Sequence, residues 1–239
     1  APSDADAGGF TLLAHQLDRQ LLTLIQQAAN TSGTTKGSAQ QQVGDFFKAA
    51  MDDARRDAVG LRPLAADLQR IAAAGGAPAD LGSLAGRVQD AYGGSPLINA
   101  YAMPDAKNSS TAVLVLVPGA QILEQDEYAK PESQNLRETY RRYIAALLTA
   151  AGDAPEVAAN RAALQMREPA NTYNMMSLAR AQALVPALDL RSFLKAQGIA
   201  APARVQVIDV NAMKALQRLL AEQSAEDVKL LLRWYVLAS

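Results

Sequence analysis

The first third of the chain carries apolar side chains at helical spacing. Before the polar segment 30–37, apolar residues recur every three or four positions: Phe10, Leu13, Leu17, Leu21, Leu24 and Ala28. This spacing places them on one face of a long helix. Ser38 is a favourable N-cap for a second helix, which we predict to continue to Gly60. Its predicted buried face comprises Val43, Phe47, Ala50, Met51, Ala54 and Ala58. Two shorter helices are predicted over 63–74 and 79–92.

Glycine and proline at 93–96 mark a change of pattern. Two short apolar runs, 97–103 and 112–117, flank a segment rich in turn residues, which is typical of a β-hairpin. We therefore predict one hairpin over about residues 96–118. Helical periodicity then returns in several segments: 131–152, 155–166, 177–184, 188–197 and 212–222. Residues 204–208 are predicted to form a lone strand.

The C-terminal segment is apolar on almost every side. Ser224 is predicted to cap it, with Glu226 and Asp227 in the first turn. A helix of this kind is typically buried, and the alternative is that it offers a surface to a partner or a second copy. The whole pattern predicts a mainly α fold with one small β-hairpin, in which a flexible segment at 1–8 precedes a helical lobe at 9–239.

Composition removes several classes of function. Lys plus Arg number 23 against 24 for Asp plus Glu, and aromatic residues make up 5%, so we predict no nucleic-acid partner. No cysteine is present, which excludes disulfides and cysteine zinc sites. No apolar run approaches the roughly 20 residues that span a bilayer. Ala1 and the small, polar residues after it are typical of a chain that has lost a signal peptide, so we expect export to the periplasm or outside the cell.

Five short motifs follow one another in a fixed order: Gly8-Gly9-Phe10; Gly44-Asp45-Phe46-Phe47 with Gly60-Leu61-Arg62-Pro63-Leu64; Pro104-Asp105-Ala106-Lys107-Asn108-Ser109-Ser110; Asn171-Thr172-Tyr173-Asn174; and Leu232-Arg233-Trp234. Together they resemble the N-terminal, largely helical region of the neprilysin and endothelin-converting-enzyme family of zinc metallopeptidases. The resemblance implies a helical lobe that covers a catalytic domain and limits the access of large substrates. It gives seven candidate binding or structural residues: Phe10, Asp105, Lys107, Asn108, Tyr173, Asn174 and Trp234.

The zinc-binding residues of that family are missing. Members hold zinc through two histidines of a helical HExxH and a downstream glutamate, and the first glutamate acts as general base. This chain has no HExxH, and its one histidine is His15. We therefore predict no catalytic residue, no metal ligand and no cofactor within the 239 residues, and we take His15 as a surface residue.

Two further departures concern substrate binding. Mammalian members place arginines around the start of the first helix to hold a substrate carboxylate, whereas the matching positions in this sequence are Asp6 and Ala14, with Thr11 between them. The run Ile98-Asn99-Ala100-Tyr101 resembles the family's substrate-binding Asn-Ala-Tyr strand. Because it lies in the hairpin of the lobe rather than in a catalytic domain, we interpret this likeness as coincidental.

Two main functions are compatible with these observations, besides a structural protein that oligomerises through the terminal helix. The first is a non-catalytic binding or regulatory module of the cell envelope, which engages a peptide, a peptidase or another envelope protein. The alternative is the N-terminal fragment of a zinc metalloendopeptidase whose HExxH half is not in this chain. The two hypotheses differ in whether the protein continues beyond Ser239.

Overall fold

A computed structural model of the chain describes residues 8–119, 131–152 and 173–239. The chain divides into two compact units, Ala1–Pro63 and Leu64–Ser239. Most of the N-terminal segment predicted to be flexible, and the helix predicted over 155–166, lie outside the described residues.

The first unit contains three helices: α1 (Gly9–Asn30), α2 (Ala39–Ala50) and α3 (Asp53–Val59). Its tightest contact lies between α1 and α2, where Gly44 is buried. A Cβ atom at position 44 would stand 2.6 Å from the Ala28 carbonyl oxygen. Since no larger residue fits there, Gly44 is the residue that allows the two backbones to approach.

The second predicted helix is broken, and this corrects the prediction of one helix from Ser38 to Gly60. The Asp52 carboxylate accepts the Arg55 backbone N–H at 2.9 Å and starts α3. The Arg56 guanidinium donates to the Ala50 carbonyl at 3.1 Å, at the end of α2. An N-cap inside the periodic stretch therefore interrupts it. The predicted buried face is also wrong, because Val43 and Met51 are exposed and Phe47 is only half-buried.

The first predicted helix is confirmed, and its apolar face is exposed. We call Phe10, Leu13, Leu17, Leu21 and Leu24 the α1 stripe. These five side chains lie on one helix face, and their exposed fractions range from 48% to 91%. Ala29 is the only buried residue of α1, and it lies beside Gly44. The α1–α2 contact therefore uses small residues and leaves the large apolar ones uncovered.

The second unit is larger and mixes helices with a sheet. A 3-10 turn, Arg62–Leu64, spans the boundary between the units, and another, Pro131–Ser133, comes before α6. The helices are α4 (Ala65–Ala73), α5 (Pro78–Tyr92), α6 (Gln134–Ala150), α7 (Leu178–Leu184), α8 (Leu190–Ala196), α9 (Val210–Glu222) and α10 (Ala225–Ala238). The strands are β1 (Ile98–Asp105), β2 (Asn108–Pro118), β3 (Asn174–Ser177) and β4 (Arg204–Val207).

The four strands form one sheet in the order β1-β2-β4-β3. β1 and β2 are antiparallel with Ile98 opposite Pro118, which confirms the predicted hairpin. β4 runs parallel to β2 and antiparallel to β3. The strand predicted at 204–208 is therefore confirmed as β4, but the prediction that it stands alone is wrong, and β3 was not predicted. The fold is mainly α, as predicted, but its β part is a mixed sheet rather than a hairpin alone.

The core of the second unit depends on close contact between α5 and α8. Gly82 and Gly86 stand one turn apart on α5, and both are buried. A Cβ atom at position 82 would collide with the Asp189 carbonyl oxygen, and one at position 86 with the Phe193 carbonyl oxygen. This close approach lets the fully buried Phe193 and Leu194 pack beneath α5.

The terminal helix α10 is buried, as its composition predicts. Ser224 accepts the Asp227 N–H at 3.3 Å, and the Asp227 carboxylate accepts the Ser224 N–H at 3.2 Å, so the capping box is complete. The apolar residues that α10 buries are Val228, Leu232, Trp234 and Val236. The predicted helix therefore belongs to the core of its unit.

A buried lysine on α10 was not predicted. Lys229 is 6% exposed. Its ammonium donates to the carbonyls of Ala72 and Ala74 at 3.0 and 3.2 Å and pairs with Glu226 at 2.7 Å. The charge thus satisfies carbonyl groups at the end of α4, where helices favour cations.

Candidate functional site

The tip of the hairpin contains three of the candidate residues. Asp105 ends β1, and its carboxylate accepts the backbone N–H of Lys107 at 2.9 Å. Asn108 begins β2, and its side-chain oxygen accepts the N–H of Ser110 at 3.3 Å. Short polar side chains that bond the backbone two residues ahead are typical of turns. Asp105 and Asn108 therefore shape the reversal between the strands.

Tyr173 reaches this tip from a distant part of the chain. Its hydroxyl donates to the Asp105 carboxylate at 3.0 Å, across 68 residues of sequence. The Lys107 ammonium stands 4.4 Å from the centre of the Tyr173 ring, within the range of a cation–π contact. Desolvation, together with the hydrogen bond to Asp105, raises the pKa of the Tyr173 hydroxyl. Two motifs that are separate in the sequence thus meet in space.

Asn174 and Trp234 make contacts that stabilise the second unit. The Asn174 amide donates to the carbonyls of Val207 and Ile208 at 3.0 and 3.4 Å and so fixes β3 beside β4. Trp234 is buried against Ile144 and Leu148, and its ring meets that of Tyr140 edge-on at 6.3 Å. Trp234 is buried and Asn174 is half-buried, and the contacts of both are made within the second unit.

Phe10 lies in the first unit, in the first turn of α1, where it is the most exposed large apolar residue of the α1 stripe. The structure therefore brings Asp105, Lys107 and Tyr173 together, with Asn108 in the same turn. Trp234 lies in a different part of the second unit, and Phe10 belongs to the first unit.

The run at 98–101 has its peptide groups occupied. Gln89 of α5 accepts the Ala100 N–H at 2.9 Å and donates to the Ala100 carbonyl at 2.7 Å. Asn99 is buried and bonds the N–H and carbonyl of Ser95 at 2.7 and 2.9 Å. A substrate strand would have to compete with these internal bonds, which agrees with the interpretation that the likeness is coincidental. No local pattern in the sequence pointed to the Gln89 contact.

The polar groups beside α4 satisfy each other. The Tyr92 hydroxyl at the end of α5 donates to the Asp67 carboxylate at 2.7 Å, and Arg70 pairs with the same carboxylate. Desolvation, followed by the bond to Asp67, raises the pKa of Tyr92 to about 12. The phenol is held in its neutral form, and the Asp67 carboxylate is engaged by both Tyr92 and Arg70.

The residues present do not fit a zinc ion. Within 8–119, 131–152 and 173–239, no three His, Cys, Asp or Glu side chains are grouped so that they could hold a metal. His15 lies exposed on α1, and no second histidine exists in the sequence. Zinc sites of peptidases need at least two imidazole or equivalent ligands with a carboxylate, and the described part of the chain supplies no such set.

These features define a class of protein: a mainly helical lobe with a small mixed sheet, an exposed apolar helix face and no zinc-binding group among its described residues. A model of the N-terminal region of peptidase family M13 matches residues 1–239. The chain belongs to peptidase family M13, and it corresponds to the N-terminal part of that family.

Solved structures of zinc metallopeptidases have the same fold. The inhibitor complex of Mycobacterium tuberculosis zinc metalloprotease Zmp1 has a TM-score of 0.79 at 22% identity, over 96% of this chain and 37% of that one. The open state of Zmp1 gives 0.79 at 23% identity, over 99% and 39%. PepO from Lactobacillus rhamnosis gives 0.61 at 19% identity, over 94% and 38%. The chain therefore spans less than two fifths of these proteins. No curated protein sequence matches it.

Among the helices in the described part of the chain, none combines the length and the apolar character needed to cross a bilayer.

Proposed function

We propose that this chain is the non-catalytic lobe of an M13 peptidase, and that the α1 stripe packs against a catalytic half outside the 239 residues. The stripe carries the proposal, because its five large side chains are 48% to 91% exposed. Contiguous apolar surface of this kind marks interaction sites. The solved structures that resemble the chain are more than twice as long, so proteins of this family contain further chain that can cover such a surface.

The role of the lobe follows from what its residues lack. Without two histidines and a glutamate on one helix, the chain cannot activate a water molecule on zinc. A lobe of this kind contributes by enclosing the space beside a catalytic half, so that only substrates of limited size enter. Catalysis then belongs to the other half, and selection by size belongs to this one.

A second candidate function is a separate binding or regulatory module. Asp6 and Ala14 occupy the positions where the family resemblance leads us to expect arginines, so no guanidinium is available there to hold a substrate carboxylate. This difference favours a lobe that has diverged from substrate binding. Its partner would be a peptide, a peptidase or another envelope protein, bound through the same stripe.

We propose export for either function, since the chain contains no cysteine that an oxidising compartment would affect.

Peptide hydrolysis tests the claim that the lobe is non-catalytic. The purified 239-residue chain should leave a set of unstructured peptides intact, with or without added zinc. Cleavage that is abolished by a chelator would contradict both functions, because each takes the 239-residue chain to be non-catalytic.

A matched pair of substitutions tests the stripe. Leu17 and Leu22 are both 48% exposed on α1, but they point about 140° apart around the helix, and only Leu17 belongs to the stripe. In the isolated chain, Leu17→Gln and Leu22→Gln should each change the free energy of unfolding by less than about 0.5 kcal/mol. In the native, longer protein, Leu17→Gln should cost about 1–2 kcal/mol, because a polar amide is then buried in the interface.

Leu22→Gln is the control for that experiment. It should remain neutral in the native protein, as measured by chemical denaturation. Equal effects of the two substitutions there would mean that the stripe is not the interface.

A further inference from the structure

The hairpin extends well beyond the rest of the sheet. β4 pairs with β2 only at Val115 and Leu116, so residues 101–112, which we call the hairpin arm, form a two-stranded ribbon. All of the arm except Asp105 is exposed. A two-stranded ribbon without a covered face is marginally stable in water. Some contact other than the sheet must therefore hold the arm in its position.

The contact is at the tip. Tyr173, immediately before β3, donates its hydroxyl to Asp105 at 3.0 Å and lies under the Lys107 ammonium at 4.4 Å. A hydrogen bond to a carboxylate is stronger than one between neutral groups. The Asp105 carboxylate also accepts the Lys107 N–H at 2.9 Å, so the same group shapes the turn and receives the distant tyrosine.

We propose that Asp105, Lys107 and Tyr173 form a latch that holds the hairpin arm in one orientation against the start of β3. With the latch closed, the arm presents the exposed side chains of Tyr101 and Met103, which share one face of β1, in a fixed direction. With the latch open, the strand pairing at the base is what still holds the arm among the described residues, and the arm becomes mobile. The proposal does not depend on the proposed function, because it concerns contacts within Leu64–Ser239.

Amide hydrogen exchange of the 239-residue chain, followed by mass spectrometry, tests the latch. Tyr173→Phe removes one hydroxyl and keeps the ring. Amides of residues 101–112 should then exchange on the order of tenfold faster, while α5 and α10 remain unchanged. Tyr143→Phe, which removes a hydroxyl from the exposed side of α6, is the matched control and should leave the arm unchanged.

Two more variants make the result decisive. In an Asp105→Ala background, the additional effect of Tyr173→Phe should disappear, because the hydroxyl has already lost its acceptor. Lys107→Met keeps the length of the side chain, removes the charge and should also speed exchange in the arm. If exchange of the arm is unchanged in both Tyr173→Phe and Lys107→Met, the latch is overturned. If Tyr173→Phe instead speeds exchange throughout the unit, Lys107→Met decides alone, since Lys107 is exposed. Unchanged exchange of the arm in Lys107→Met would then overturn the latch.

Discussion

The two units of the chain use the same kinds of residue in opposite ways. In Leu64–Ser239, large side chains such as Phe193, Leu194 and Leu97 are fully buried among helices and the sheet. In Ala1–Pro63, five large side chains of similar chemistry stand on one face of α1 and remain exposed. Hydrophobic periodicity identifies which residues share a face. It does not say whether the same chain also supplies the surface that covers it.

The difference has a physical origin in the number of layers. The second unit has several helices packed around a sheet, so apolar faces meet other apolar faces. Among the described residues of the first unit, only Ala29 and Gly44 are buried, and both are small. A helix pair that packs through small residues excludes little apolar area from water, and the large residues remain available to another surface.

The largest expected effect comes from the same aromatic truncation in each unit. Phe193→Ala should lower the free energy of unfolding by about 3–5 kcal/mol, because it leaves a cavity in a fully packed core. Phe10→Ala should change it by less than about 0.5 kcal/mol in the isolated chain, since Phe10 is 91% exposed. Urea denaturation followed by circular dichroism measures both. Comparable losses in the two variants would remove the contrast between the units.

A smaller effect is expected from adding a methyl group to a glycine. Gly86→Ala should destabilise the second unit by about 2 kcal/mol, because the new Cβ collides with the Phe193 carbonyl. Gly9→Ala, at the start of α1, meets no atom within 4 Å and should stabilise the helix by about 0.5 kcal/mol. The midpoints of denaturant unfolding provide the comparison. A neutral Gly86→Ala would show that α5 and α8 can move apart without cost.

Replacing lysine by methionine should have an intermediate effect on one unit only. Lys229→Met removes the donor from the carbonyls of Ala72 and Ala74 and should cost about 1–2 kcal/mol. Lys48→Met on α2 replaces an exposed lysine and should be close to neutral. The melting temperatures of the two variants, measured by thermal unfolding, provide the comparison. An unchanged melting temperature for Lys229→Met would mean that water replaces the ammonium at the end of α4.

The smallest effect depends on pH. The pKa of Tyr92 is raised to about 12 in the folded chain, from 10.0, so its contribution is complete below pH 10 and is lost as the pH rises through 12. Tyr92→Phe should therefore be less stable than the wild type by about 1 kcal/mol at pH 9, and the difference should shrink at pH 11. Tyr143→Phe is the control. A difference that is constant with pH would contradict the bond to Asp67.

Local signals in the sequence predicted much of the second unit. The capping box of Ser224 and Asp227 and the turn residues of the hairpin act over a few positions, and their elements formed as expected. Features that depend on distant residues were not predicted. β3, the bond of Gln89 to Ala100 and the buried position of Lys229 all require neighbours that periodicity cannot identify.

The same distinction applies to the candidate site. The family resemblance pointed to Asp105, Lys107 and Tyr173 as separate motif residues, and only the fold reveals that they touch. The break at Asp52 is a different kind of error. Asp52 is a local N-cap signal within a stretch whose apolar spacing predicts one continuous helix. The cap starts a new helix at that point, so the apolar spacing alone was misleading.

The most direct test of the proposed function is the mass of the native protein that carries this sequence, isolated from its own organism and measured intact. The 239-residue chain has a mass of 25.3 kDa and spans 37% to 39% of the Zmp1 structures it resembles. If it is the lobe of an M13 peptidase, the native mass should be more than twice 25.3 kDa. A native mass of 25.3 kDa would contradict that account and leave the separate binding module as its replacement.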